Sequence, residues 1–227
     1  MALPDVPRRD PLIAAAVLWA LGGAWYLISE AVAASAFPGY SYAHDYISDL
    51  GAVGNEPPGS PLAAVMNLGF LHQGLLFLLG SIFAVRALPA SRGRSAFLAL
   101  AVGYAVGTGL VGVFHSGQHG TAALHGVGAV MAILGGNLAV VAVGLRFREH
   151  ATTRPTGTAG VVLGIAGIAS LLLLGLNIVL GTPVLFDDGT WERGSVYTIT
   201  AWQFVAATAL LPARRSPTGN EPARGTT

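Results

Sequence analysis

Six long apolar blocks, with arginines gathered at alternate junctions between them, constrain this chain more than any other feature. The blocks cover residues 11–33, 61–85, 95–114, 121–145, 156–180 and 195–211, and run from 17 to 25 residues each. At 1.5 Å rise per residue, roughly 20 apolar residues cross the ~30 Å hydrocarbon layer of a bilayer. Only 10% of the 227 residues are charged and 53% are hydrophobic, whereas a soluble domain carries roughly 25% charged residues. The expected fold class is therefore all-α: a polytopic membrane bundle of six transmembrane helices.

Arginine placement predicts the orientation, because short cytoplasmic loops retain basic residues. Arg8 and Arg9 precede the first block, Arg86, Arg92 and Arg94 join the second and third, Arg146, Arg148 and Arg154 join the fourth and fifth, and Arg214, Arg215 and Arg224 follow the sixth. Eleven of the twelve arginines thus fall on one side, which places both termini in the cytoplasm. Arg193 is the exception and keeps company with Asp187, Asp188 and Glu192. Residues 1–212 are expected to form a single membrane domain and 213–227, rich in Pro, Gly and Thr, a disordered cytoplasmic tail. A cleaved signal peptide is the rival reading of the first block, with 33–36 as a small-residue cleavage site; the block exceeds a 7 to 15 residue apolar region and contains Trp19, Trp25 and Tyr26, which weighs against it.

The basic residues are all Arg, and with the Ala and Gly excess this looks like high-GC bacterial coding, so the location expected is a bacterial plasma membrane. No basic cluster is interleaved with aromatics, which argues against nucleic acid as a partner. With no cysteine, neither a disulfide nor a thiolate metal site can form.

Inside the blocks, small residues let helix backbones approach where lipid supplies little hydrophobic drive. Gly103, Gly107 and Gly112 suggest one such face, Gly128, Gly135 and Gly136 a second, and Gly160, Gly164 and Gly167 a third. Asn67, Asn137 and Asn177 are expected to bond across helices.

The chemistry-bearing residues collect at the extracytoplasmic side. The first outer loop, 34–60, is long enough to act as a lid over the bundle. It carries Tyr40, Tyr42 and Tyr46, suited to the headgroup level, and then His44, Asp45, Ser48 and Asp49, groups that move protons or bind metal. The plainer account is that Ser48 or Asp49 caps a helical turn that Gly51 ends. The second outer loop brings His115, His119 and His125 within eleven residues. His72, in the second block, is expected to face the bundle interior or a wet cavity, as an imidazole at that depth needs a polar neighbour. Imidazoles with carboxylates and no thiolate suit a divalent transition metal such as zinc, with His44, His115, His119 and His125 as ligands; hydrogen bonding across helices is the alternative. Glu30, at the outer end of the first block, has Arg193 as its expected partner.

Several of these residues carry a resemblance. Tyr40-Ser41 and Ile47-Ser48-Asp49-Leu50-Gly51, then Asn67, His125-Gly126-Val127-Gly128-Ala129, Gly136-Asn137, and Trp191-Glu192-Arg193 with Tyr197 and Trp202 resemble the bacterial and archaeal membrane family known as domain of unknown function 998. The resemblance covers nearly all of residues 12–212 and implies six spans and a shared polar set of Ser48, Asp49, His125, Glu192 and Arg193. His115 departs from the family, which follows Phe with Pro there, as does the added His119. A fainter likeness, resting on the Ile-Ser-Asp-x-Gly motif, is to eukaryotic six-span proteins of the autophagy-modulator and GPI-anchor-remodelling group.

Three functional readings follow. The first is a lipid- or small-molecule-directed site in which Ser48, Asp49 and His125 carry any chemistry while Tyr40, Glu192 and Arg193 bind the ligand, Arg193 by holding an anionic headgroup. The second is a metal-binding or metal-handling protein using the outer histidines. The third is a non-catalytic accessory subunit, a homo-oligomer or partner of another membrane protein, in which the polar set only pins the loops.

Overall fold

A computed structural model describes residues 9–54, 59–116 and 120–211. Six α-helices account for most of them: α1 Arg9–Ser35, α2 Ala63–Ala87, α3 Arg92–Val113, α4 Ala122–Phe147, α5 Arg154–Leu180 and α6 Asp188–Leu210, with a short 3-10 helix, Ile47–Gly51, between α1 and α2. Five helices, α1 to α5, are long and apolar enough to cross a membrane. The sixth is 23 residues long but carries Asp188, Glu192 and Arg193 in its first two turns. By sequence those charges belong to a loop before residue 195; in the helix each finds a partner on the α1–α2 loop, Asp188 at Tyr46, Glu192 at Ile47 and Arg193 at Tyr42 and Asp45.

Successive helices pack on one another, and α6 closes the ring against α1 while also reaching α4. Leu21, Leu75, Val106, Val130, Val162 and Leu172 point outward from α1 to α5, an apolar periphery far beyond what a monomeric soluble protein exposes. The inside is aromatic at mid-height. Trp19 packs on Trp202 at a tilt of 58° with centroids 4.8 Å apart and donates to the Phe77 carbonyl at 3.2 Å, and Phe77 meets Tyr104 edge-on at 4.8 Å. Gln73 and Gln203, fully buried on α2 and α6, join across the centre at 2.7 Å.

Glycines set the helix spacings, though not as three uniform faces. A Cβ on Gly107 would run into the Ala132 nitrogen of α4, and one on Gly112 would lie 3.0 Å from the Asn67 carbonyl of α2; Gly103 has open space beside it. Gly164 and Gly167 press on α4 at Asn137. Of the asparagines expected to bond across helices, Asn137 does so, whereas Asn67 and Asn177 bond chiefly to the connecting segments. Asn137 donates to the Ser195 carbonyl and accepts from Thr198, tying α4 to α6. Asn67 donates to Gly51 at 3.0 Å, fastening the first loop to α2. Asn177 bonds Val184, Phe186 and Asp188, holding the α5–α6 turn.

His72 corrects the sequence expectation. It is exposed on the outer surface of α2, its Nδ1 bonded to the Leu68 carbonyl at 2.8 Å and its ring 5.4 Å from Trp25. The i−4 carbonyl of its own helix meets its need for a polar neighbour, so it does not turn inward.

Candidate functional site

The loops joining α1 to α2, α3 to α4 and α5 to α6 gather at one end of the bundle. Apolar residues seat the first of them: Ile47 and Leu50 are fully buried and pack with Tyr26, Met66, Phe70 and Val111. The first loop is therefore seated on the bundle through its 3-10 turn. Asp49 caps that turn, as expected in kind, but from its third position: its Oδ2 accepts the Tyr46 N–H at 3.0 Å, and the turn gives way to extended backbone at Ala52.

Arg193 locks this loop from the side of α6. Its Nε donates to Glu30 at 3.1 Å, one terminal nitrogen donates to the carbonyls of Tyr42 (2.7 Å), Asp45 (2.9 Å) and Gly189 (3.0 Å), and the other donates to the Tyr40 hydroxyl. The Tyr42 and Tyr40 rings flank the guanidinium at 4.6 and 5.5 Å, within cation–π range. Glu30 is 1% exposed and takes the Tyr197 hydroxyl at 2.9 Å on both oxygens. Glu30 thus has the partner expected of it, plus Tyr197, which the sequence reading missed. Its signal was position: Tyr197 follows Arg193 by one helical turn and so shares its face. Two of the three tyrosines are engaged through their hydroxyls, Tyr40 donating to the Tyr46 carbonyl at 2.9 Å and Tyr46 to Asp188 at 2.6 Å, while Tyr42 is exposed. Burial pushes the hydroxyls of Tyr40, Tyr42 and Tyr46 up from their ordinary range, so they stay protonated donors.

Arg193 is 6% exposed and its donors are engaged. Such a guanidinium fastens loop to bundle and has little left for an anionic headgroup.

Beneath the 3-10 turn lies a small cavity of about 40 Å³. Phe70, Val111, Ala129, Ile133 and Val196 supply apolar wall; Ser48, Thr108 and Glu192 are polar groups on it. Glu192 is 9% exposed, and its Oε2 accepts the Ile47 N–H. His125 stands one turn before Ala129 on α4 and so shares its face. Its Nδ1 lies 2.8 Å from the Phe114 carbonyl; a carbonyl only accepts, so Nδ1 carries the proton and Nε2 of a neutral ring is a base. Asp49 is close enough to feel His125. Burial raises the Asp49 carboxyl above its ordinary value and the nearby Asp45 adds to this, against the Tyr46 N–H, the Ser116 side chain and His125, which lower it.

Ser48 and Glu192 thus line one cavity, while Asp49 and His125, close enough to feel each other, are not among its lining residues, and neither are Tyr40 and Arg193. The histidines do not converge in the same way. His44 is exposed and pairs with Asp187 at 2.9 Å, on a separate groove lined by Tyr46, Asn177 and Asp188. His115 follows the end of α3, and His119 lies outside the described residues. Among the described residues no three His, Asp or Glu side chains stand close enough to share a metal ion.

No curated protein and no solved structure gives a significant match to the chain. The family model described as "Protein of unknown function (DUF998)" matches residues 20–209, and the chain belongs to that family.

Proposed function

We propose that this protein is a six-span protein of the bacterial plasma membrane, both termini cytoplasmic, that handles a lipid or other small amphiphile at its extracytoplasmic end. Residues 1–212 act as one domain, with 213–227 as a cytoplasmic tail. The observation that carries the reading is the cavity beneath the first loop: its walls are apolar, it sits within the bundle, and its polar members Ser48 and Glu192 adjoin Asp49 and His125. Apolar cavities with a few convergent polar groups are the usual form of a small-molecule site. In this reading His125 Nε2 takes a proton from the bound molecule or its attacking partner and Asp49 steadies the resulting imidazolium, while Arg193 holds the first loop in register. Membrane lipids extracted from cells with and without the protein test it, alongside His125→Ala. The expected result is a lipid whose level depends on the protein and reverts in the variant; identical lipid profiles in all three strains would remove the chemical role.

The engagement of all three guanidinium nitrogens of Arg193 favours a second reading, in which the polar set serves only to pin the loops of an accessory subunit. A stoichiometric membrane partner that co-purifies with wild type and with His125→Ala alike is its signature.

A further inference from the structure

We infer that the protein forms a two-fold dimer in the membrane through the outward seam of α1 and α2, where Trp25 of each copy donates to His72 of the other. Both side chains are exposed, on a surface otherwise made of apolar residues such as Leu21, Ile28, Leu68 and Leu75. Their rings lie 5.4 Å apart at a tilt of 51°. The Leu68 carbonyl occupies His72 Nδ1 at 2.8 Å; a carbonyl only accepts, so that nitrogen carries the proton of a neutral ring and Nε2 is left as an acceptor. The Trp25 indole N–H can only donate. Among the described residues, neither that N–H nor His72 Nε2 has a partner. The two residues also share a depth. Each stands three residues to the loop side of its helix midpoint, Gly22 in α1 and Leu75 in α2, or ~4.5 Å at 1.5 Å rise per residue. That level is well inside a hydrocarbon layer ~30 Å thick, where an unpaired polar group is costly and a lipid chain offers it nothing. A two-fold axis along the membrane normal keeps every residue at its own depth and sets α1 of one copy against α2 of the other. The lone donor of each copy then meets the lone acceptor of its counterpart, and the contact is made twice.

The full-length protein reconstituted in phosphatidylcholine bilayers at graded dilution, with subunits counted by single-molecule photobleaching, tests this. Dimers that dissociate on dilution are expected. His72→Leu and Trp25→Phe should each weaken the dimer at least about fivefold, and the double variant should weaken it no further, because either substitution removes both bonds. Both positions face away from the core, so the monomer's unfolding temperature should hold, which separates lost pairing from misfolding. Leu172→Phe, on the outward face of α5, should leave dimerisation as it is. Copies bearing Leu21→Cys and copies bearing Leu75→Cys, at matching depth on the same seam, should cross-link to one another on oxidation, and adding His72→Leu should suppress the cross-link. Monomers at every dilution, a dimer indifferent to His72→Leu and Trp25→Phe, or one weakened equally by Leu172→Phe would overturn the interface.

Discussion

Arg193 and Glu30 show how a single residue pair can carry both halves of this protein's polar chemistry. Breaking a buried pair leaves one charge uncompensated, at about 3–5 kcal/mol. Arg193→Ala should therefore lower the unfolding temperature in detergent sharply. Glu30→Gln combined with Arg193→Met should recover part of the loss, since the side-chain amide would still accept the Tyr197 hydroxyl and no bare charge would remain. Equal damage in single and double variants would count against a paired role. Asp49 offers a pH-dependent counterpart. Its folded-state pKa lies above its ordinary 3.8, so the folded protein holds that proton more tightly than the unfolded chain. Its contribution favours the fold at low pH and is lost as pH rises from about 3.8 through the raised value. Asp49→Asn should flatten the pH dependence of unfolding just above that point, and an unchanged profile would show that Asp49 does not contribute to it. The Arg193–Glu30 pair was legible in the sequence, because one outer arginine and one in-span carboxylate had few other choices. The placement of the Tyr40 and Tyr42 rings against Arg193 was not: tyrosine suits an interface and a guanidinium cage equally, and only the fold decides.

Helix ends were readable to within a few residues for α1 to α5, since arginines and turn residues bracket each apolar run. The start of α6 was missed by seven residues, 195 against 188, because Glu192 and Arg193 look like loop until their partners are known. His72 was misjudged for a related reason. Depth in a helix follows from counting, but its facing direction needs an apolar stripe, and α2 is apolar all round. The glycine spacings likewise could not say which neighbour each glycine meets. That difference is testable. Gly107→Ala drives a Cβ into the backbone of Ala132 and Gly128 and should cost about 1–3 kcal/mol or more, whereas Gly103→Ala, with open space beside it, should be neutral or gain up to about 1 kcal/mol in helix propensity. Melting temperatures of the two variants in one detergent make the comparison.

At the scale of the molecule, the three odd-numbered junctions form one polar end, and the arginine-bearing junctions form the other. The two ends can be told apart experimentally because the chain has no cysteine of its own. Ala43→Cys, in the first loop, should react with a membrane-impermeant maleimide on intact cells; Ala151→Cys, beside Arg146 and Arg148, should react only after permeabilisation. The reverse pattern would invert the proposed orientation. The grip of α6 on the first loop also bears on biogenesis. Arg193 meets Tyr42 across 151 positions of chain, and Glu30 has its charged partner 163 residues downstream. In the proposed topology, a nascent chain emerging helix by helix holds Glu30 without its charged partner until the last segment arrives. Any product truncated before α6 would display that orphan carboxylate together with an unfastened outer cap, a mark by which membrane proteases could sort unfinished copies from complete ones.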